Sequence, residues 1–374
     1  MYENGLMIRG EEGTVEMKRN HFIDVLKGIC IIFVIITHYN WSNEARMDYL
    51  FPFWIDMAVP IFMILSGYVY ANSFERKGIS SIGQAYQLKF VLDKIIRYTV
   101  PFLIAYVLEI IICAVRSEAM SAEEIFVVFW QGGLGPGSWY FPVMLQFIFT
   151  FPVVYFIIKK YDAYGLLICA IINVIYGFLP KPYEMSYDCY RLLLFRYLLV
   201  IAFGCYLHLK KGQVKKVWGV LSCLCGIAFL VALCYMGYMP KLIRFWPKTS
   251  YAACLYIMPL AAVMLNKCKK GWLPFEVIGK ASFNILLAQM VYYRFFAKYI
   301  YAQIDNKLLE LLAGIAISLV AGVIFYYIET PITKFVIKKA DQCMEKERKV
   351  GLVEWWNRHF YAGKPEVVEK QKKA

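Results

Sequence analysis

Three ionisable side chains share one apolar stretch near the start of the chain: Asp24, Lys27 and His38, within residues 22–39. A charge inside hydrocarbon costs roughly 2.5–3.5 kcal/mol on insertion scales, so each needs a reason to be there. On a helix turning ~100° per residue, Lys27 and His38 fall within ~20° of one face, and Asp24 and His38 within ~40°. At ~1.5 Å rise per residue, His38 stands ~16 Å beyond Lys27 along the axis. Such a stripe predicts a protein interior or an aqueous passage, with cationic chemistry at one end and an imidazole at the other. An ammonium suits phosphate, and an imidazole suits proton transfer near neutral pH. A lone histidine near a helix end is also commonly a satisfied structural group; the shared stripe favours chemistry.

Further polar residues interrupt other apolar runs: Asp56, Ser66–Gly67, Lys94, Arg97, Glu109, Arg191, Arg196, Asn284, Gln289, Arg294 and Glu329. Each has a plainer reading. Lys94 and Arg97 fit interfacial anchors, and Trp139 and Tyr140 an aromatic belt. Arg196 and Glu109 could pair across helices, Ser66 and Gly67 could allow close helix approach, and Glu329 could simply end its helix.

The elements that would position these groups follow from composition. The 374 residues are 60% hydrophobic and 18% charged, against about half and a quarter in soluble domains. Apolar runs near the ~20 residues needed to cross a bilayer recur at 22–40, 52–72, 95–115, 139–158, 164–179, 192–208, 217–236, 250–266, 277–299 and 308–328. The run at 164–179 is short and the one at 277–299 is broken by polar residues. We therefore expect an all-α, polytopic bundle of about ten transmembrane helices in the cell membrane, with the bilayer as its main partner. The first run, with two internal charges and no small-residue cleavage pattern, does not fit a cleaved signal peptide.

Charge supplies the orientation. Lys and Arg cluster after the second, fourth, sixth, eighth and tenth runs, for example Lys210, Lys211, Lys215 and Lys216. By the positive-inside rule this puts both termini in the cytoplasm. One loop is discordant: Lys241, Arg244 and Lys248 fall on the outer side. The same rule explains the net charge of +14, so nucleic-acid binding is not expected. The eleven cysteines show no metal or disulfide spacing, and no metal is expected. Ser117–Gly137 reads as a short amphipathic helix leading into a flexible glycine-rich loop. The chain thus divides into a cytoplasmic segment 1–18, a membrane domain 19–335 and a basic tail 336–374. That tail is compatible with an anionic leaflet surface and with a solvated segment.

The run Arg19–Gly28, continuing to Thr37–His38, resembles the opening of membrane acyltransferase-3 proteins. In that family an Asp, a basic residue before a small one, and a His eleven positions later recur. Asp56–Tyr68, Lys94-Ile95-Ile96-Arg97 before Pro101, Trp139-Tyr140-Phe141, Arg196 to Gly204, Gly279-Lys280-Ala281-Ser282-Phe283 and Glu329-Thr330-Pro331 are similar to further family segments, in order. Two positions depart: many members carry Arg where this chain has Lys27, and His where it has Gln289.

The resemblance implies transfer of an acyl group, usually acetyl, from cytoplasmic acyl-CoA to a hydroxyl of an extracytoplasmic glycan or other cell-envelope acceptor. It implies donor phosphates near Lys27, Lys94 and Arg97. His38 is expected as general base, or as a transient acyl carrier, with Asp56 orienting it or holding the acceptor and Asp24 on the same stripe. Substrate or oxyanion contacts are expected among Ser66, Trp139, Tyr140 and Arg196. A transporter using the polar stripe as its pathway and a non-catalytic scaffold are the rival readings.

Overall fold

A computed structural model describes residues 20–118, 120–213, 215–238, 241, 243–245 and 251–350. The expected segment 1–18, Lys248 and the tail beyond residue 350 lie outside the described residues. Those described are helical, with no strand among them. In chain order the helices are α1 (Phe22–His38), α2 (Asn43–Asp48), α3 (Ala58–Arg76), α4 (Ile82–Ala85) and α5 (Leu88–Val115). After them come α6 (Ala122–Gln131), α7 (Tyr140–Tyr161), α8 (Ala163–Phe178), α9 (Tyr187–Leu192), α10 (Leu198–Leu209) and α11 (Lys216–Cys234). The remainder are α12 (Ile257–Lys267), α13 (Leu273–Lys280), α14 (Ser282–Val291), α15 (Ala297–Tyr301) and α16 (Lys307–Val350).

Five of these segments are long and apolar enough to cross a membrane: Phe51–Arg76, Ile82–Val115, Tyr140–Tyr161, Lys216–Cys234 and Lys307–Met344. They correspond to five of the ten runs expected from sequence. The others form shorter or interrupted helices. The run at 277–299 breaks at Ala281 between α13 and α14, then passes through a π-helical turn over Tyr292–Phe296 before α15. A π turn inserts an extra residue and re-aims the side chains after it, and such turns are frequent at functional sites.

The outer faces of the bundle remain apolar. Leu103, Ile104, Val107, Leu108 and Ile111 on α5 are exposed, as are Leu167, Ile168, Ile171 and Ile175 on α8. Val217, Val220, Leu221 and Leu224 extend this surface on α11. Exposed apolar rows on three helices are more than a soluble monomer commonly leaves uncovered, and hydrocarbon is the solvent that accepts them.

Inside, the helices around α1 meet closely. At the α3–α10 crossing, a Cβ on Gly67 would strike the Ile201 carbonyl, and one on Gly204 would strike the Ile64 carbonyl. The small residue beside Ser66 thus does serve close helix approach. Gly28 and Gly279 bring α1 against α13 in the same way. These crossings fix α1 at the centre of the polar interior, between α3, α13 and α14.

Candidate active site

His38 ends α1 and lines a cavity of about 260 Å³ together with Asp56, Trp139, Tyr140, Arg191 and Arg196. Its Nδ1 lies 2.9 Å from Oε1 of Gln289 on α14. Gln289 is wholly buried, and its Nε2 donates to the carbonyl of Pro136 at 2.8 Å. The two contacts determine each other. With its nitrogen committed to Pro136, Gln289 presents only its oxygen to the imidazole, so Nδ1 carries the proton and Nε2 holds the lone pair. The nitrogen left to accept a proton is therefore Nε2.

The glycine-rich loop of residues 132–137 supports this pair. Read from sequence as flexible, it is instead largely buried and anchored. Glu109, buried in α5, accepts a hydrogen bond from the Leu134 backbone N–H at 2.9 Å. Gly137 adopts a left-handed φ of +96°, and a Cβ there would sit 3.3 Å from His38 Cε1 and 3.5 Å from Gln289 Nε2. The backbone can lie on the imidazole because it carries no side chain at this position. From the other side, the Tyr293 hydroxyl of the π turn donates to the Ile35 carbonyl at 3.1 Å. Its ring stands edge-on to His38, with centroids 6.4 Å apart.

Asp56 reaches this cavity, but its partner there is Arg46: Nη2 donates to Asp56 Oδ1 at 2.6 Å. Nη1 of the same guanidinium donates to the Thr37 carbonyl at 3.3 Å. Arg46 thus stitches the end of α1 to the start of α3, one residue from the imidazole. Breaking so buried a pair typically costs 3–5 kcal/mol. Arg196, also buried, lies 5.3 Å from the ring centroids of both Tyr190 and Tyr197 and neighbours Tyr187. Trp139 stacks on Tyr197 at 5.4 Å.

A second cavity of about 340 Å³ is lined by Asp24, Lys27, Ser66, Tyr98 and Lys280 among others. Asp24 therefore belongs with Lys27, roughly 21 Å of helix rise from His38, and does not share the histidine's cavity. Lys94 packs its ammonium 4.2 Å from the Tyr70 ring centroid, and Tyr70 neighbours Tyr98. Lys94 is within electrostatic reach of Lys77, Arg97, Asp93 and Lys27. Arg97 itself is exposed. Just past α3, burial holds the Lys77 ammonium below the usual lysine range; nearby Arg97, Lys89 and Arg76 add to this, and Asp93 opposes it.

Phe62, Tyr140, Ser282 and Phe283 line both cavities, so the two meet at a shared waist. There the Ser66 hydroxyl donates to the Phe62 carbonyl at 2.9 Å, and the Tyr140 hydroxyl is its neighbour.

Other expectations resolve differently. Glu109 serves the glycine loop and Arg196 lies among tyrosines, so the cross-helix pair read from sequence is replaced by two separate roles. Glu329 is buried and accepts from Asn284 Nδ2 at 3.1 Å and from Thr333, which clamps α14 to α16. Arg46 and Gln289 are the residues sequence reasoning passed over as participants. Arg46 lies in a polar connection with no periodic signal, and Gln289 stood out as a polar residue in an apolar run and as a departure from the family's pattern, with no role assigned.

The model of the family described as "Acyltransferase domain" matches residues 20–327, and this chain belongs to that acyltransferase-3 family. A search of curated proteins and of solved structures finds no match.

Proposed function

Starting from that membership, we propose that the protein is a cell-membrane O-acyltransferase. It would move an acyl group, acetyl by preference, from acyl-CoA to a hydroxyl of an extracytoplasmic glycan or cell-envelope polymer. Ten crossings with both termini cytoplasmic complete the proposal: the Lys27 cavity opens inward and the His38 cavity outward. The observation that carries it is the pair of cavities meeting at one waist, with clustered cations at one end and an oriented imidazole at the other.

In this reading the donor's phosphates bind beside Lys27, Lys94 and Arg97, with Lys280 on the same cavity wall. Several cations can share a multiply charged anion. The thin pantetheine arm passes Phe62 and Phe283, which delivers the thioester carbonyl to the waist. Nε2 of His38 takes the proton from the acceptor hydroxyl as its oxygen attacks that carbonyl. The C–S bond breaks and the thiolate recovers the proton from the imidazolium. An acyl-imidazole route would use the same nitrogen. Gln289 holds the ring in the tautomer that either route needs. Tyr140, present in both cavities, is assigned to the thioester's oxyanion. Asp56 acts through Arg46 in fixing the end of α1, and Asp24 serves the donor cavity.

Turnover of radiolabelled acetyl-CoA by purified protein in nanodiscs, wild type beside His38→Ala, tests the scheme. We expect label to reach acceptor or water with wild type, and a loss of at least about 10³-fold in the variant, toward the upper range for a general base. Wild-type rates from correctly inserted His38→Ala protein would refute the role of His38. Label trapped on wild-type protein would select the acyl-histidine route.

A further inference from the structure

We infer that the acceptor carries an anionic group, a carboxylate or a phosphate, close to the hydroxyl that reacts, and that Arg191 and Arg196 hold it. The inference rests on the acyl-transfer reading above and adds the chemical class of the acceptor. Its first support is the charge of the cavity. The walls of the His38 cavity contain three arginines, Arg46, Arg191 and Arg196, and a single carboxylate, Asp56. Arg46 and Asp56 pair with each other at 2.6 Å. The wall's other two charged residues, Arg191 and Arg196, stand five positions apart, at the end of α9 and in the 3-10 turn Leu194–Tyr197, so guanidiniums outnumber carboxylates on the wall.

Those two guanidiniums differ in setting. Arg191 lies 3.2 Å from Asp188, whose side chain is 67% exposed; an ion pair of that kind is screened by water and weak. Arg196 is buried against aromatic faces, where a guanidinium keeps its full charge and its planar donor fork. Guanidinium is the side chain best matched to bidentate recognition of carboxylate and phosphate. Trp139, half-buried and stacked on buried Tyr197, lines the cavity and offers a flat surface for a sugar ring.

The second support is the discordant loop of the sequence. Lys241 and Arg244 violate the positive-inside pattern, so orientation does not account for them. In the structure both are exposed, and the Lys241 carbonyl accepts from the Lys181 ammonium. Phe245 packs on Tyr187 and Tyr190 at 5.3 and 5.0 Å, and Arg244 donates to the Pro180 carbonyl at 3.5 Å. Exposed cations on the segment that packs on Tyr187, itself a wall residue, and arginines on the wall give this side an excess of positive charge, which concentrates an anionic ligand and orients its approach.

The test uses the full chain in nanodiscs with labelled acetyl-CoA, challenged with methyl glucoside, methyl glucuronide or glucose 6-phosphate. The readout is the sugar concentration that halves release of label into water, whether by accepting the label or by excluding water. We expect the charged sugars to act at about tenfold lower concentration than the neutral one, as two charge-assisted contacts imply. Higher salt should narrow that gap. Arg191→Gln should bring the three sugars together, and Arg191→Lys should restore part of the preference. Equal potency in the wild type, no effect of either charged sugar, or a preference unchanged in Arg191→Gln overturns the inference. Carboxylate preferred over phosphate, or the reverse, identifies which anion the arginines fit. Absence of any acetyl-CoA turnover would instead remove the acyl-transfer reading on which it stands.

Discussion

The two cavities along α1 solve opposite problems. Around His38 directed hydrogen bonds set the geometry: Nδ1 to Gln289, Gln289 to Pro136, Leu134 to Glu109, and Arg46 to both Thr37 and Asp56. Around Lys27 the cations lie within electrostatic reach of one another, Lys94 feeling Lys77, Arg97 and Lys27, with Asp93 in opposition and Asp24 on the cavity wall. An excess of cations gathered in this way favours an anion without fixing a geometry. The comparison teaches which end does which work. Chemistry needs a reacting nitrogen held to within about 0.5 Å, whereas a flexible, multiply charged tail needs only a concentrated field.

The sharpest way to break that contrast is at Gln289. Gln289→Leu preserves volume but removes the acceptor for Nδ1–H, so the imidazole loses its tautomer and its orientation. We expect kcat to fall about 10²-fold, in the range seen when a positioning contact is lost, with the donor KM little changed. Gln289→Glu keeps an oxygen toward His38 and adds a charge that favours the imidazolium. Its pH–rate profile should therefore move to higher pH. Equal rates and an unmoved profile in both variants would reduce Gln289 to packing.

That contact also marks the limit of the sequence. The stripe of Asp24, Lys27 and His38 is legible because helical periodicity relates neighbours on one helix. The five long spans are legible because hydropathy is a local sum. Gln289 lies 251 residues from His38, and no local rule brings the two together. The same holds for Glu109, whose charge suggested Arg196 as partner although its carboxylate caps a backbone N–H of the glycine loop. The break at 277–299 was visible as interrupting polar residues. Its consequence, a π turn that aims Tyr293 at the histidine's helix, depends on backbone geometry that composition does not encode.

The cationic end should respond in the other parameter and more gently. Lys94→Gln and Lys27→Gln should each raise the KM for acetyl-CoA by about tenfold, the worth of one charge-assisted phosphate contact, with kcat retained. The increase should shrink as ionic strength rises, because this mouth is open enough for salt to screen it. A fall in kcat at unchanged KM would mean that the two ends are not divided as argued, and that the lysines shape the reacting geometry.

The smallest effect is expected at Ser66, on the waist where the two regimes meet. Ser66 gives its proton to the Phe62 carbonyl, so its oxygen can only accept from the neighbouring Tyr140 hydroxyl. A bond donated by Tyr140 to Ser66 would compete with a thioester oxyanion for the Tyr140 proton. Ser66→Ala removes the competing acceptor and leaves Tyr140 in place, so kcat should stay within about twofold of wild type, the loss of one neutral hydrogen bond being offset by a freer donor. Tyr140→Phe removes the donor itself, and kcat should fall about 10²-fold, as for other single oxyanion donors. The ratio of the two variants is the informative quantity. If Ser66→Ala were as damaging as Tyr140→Phe, the hydroxyls would act as one unit at the substrate. The oxyanion would then belong to the Ser66–Tyr140 pair, and the waist would be part of the reacting centre.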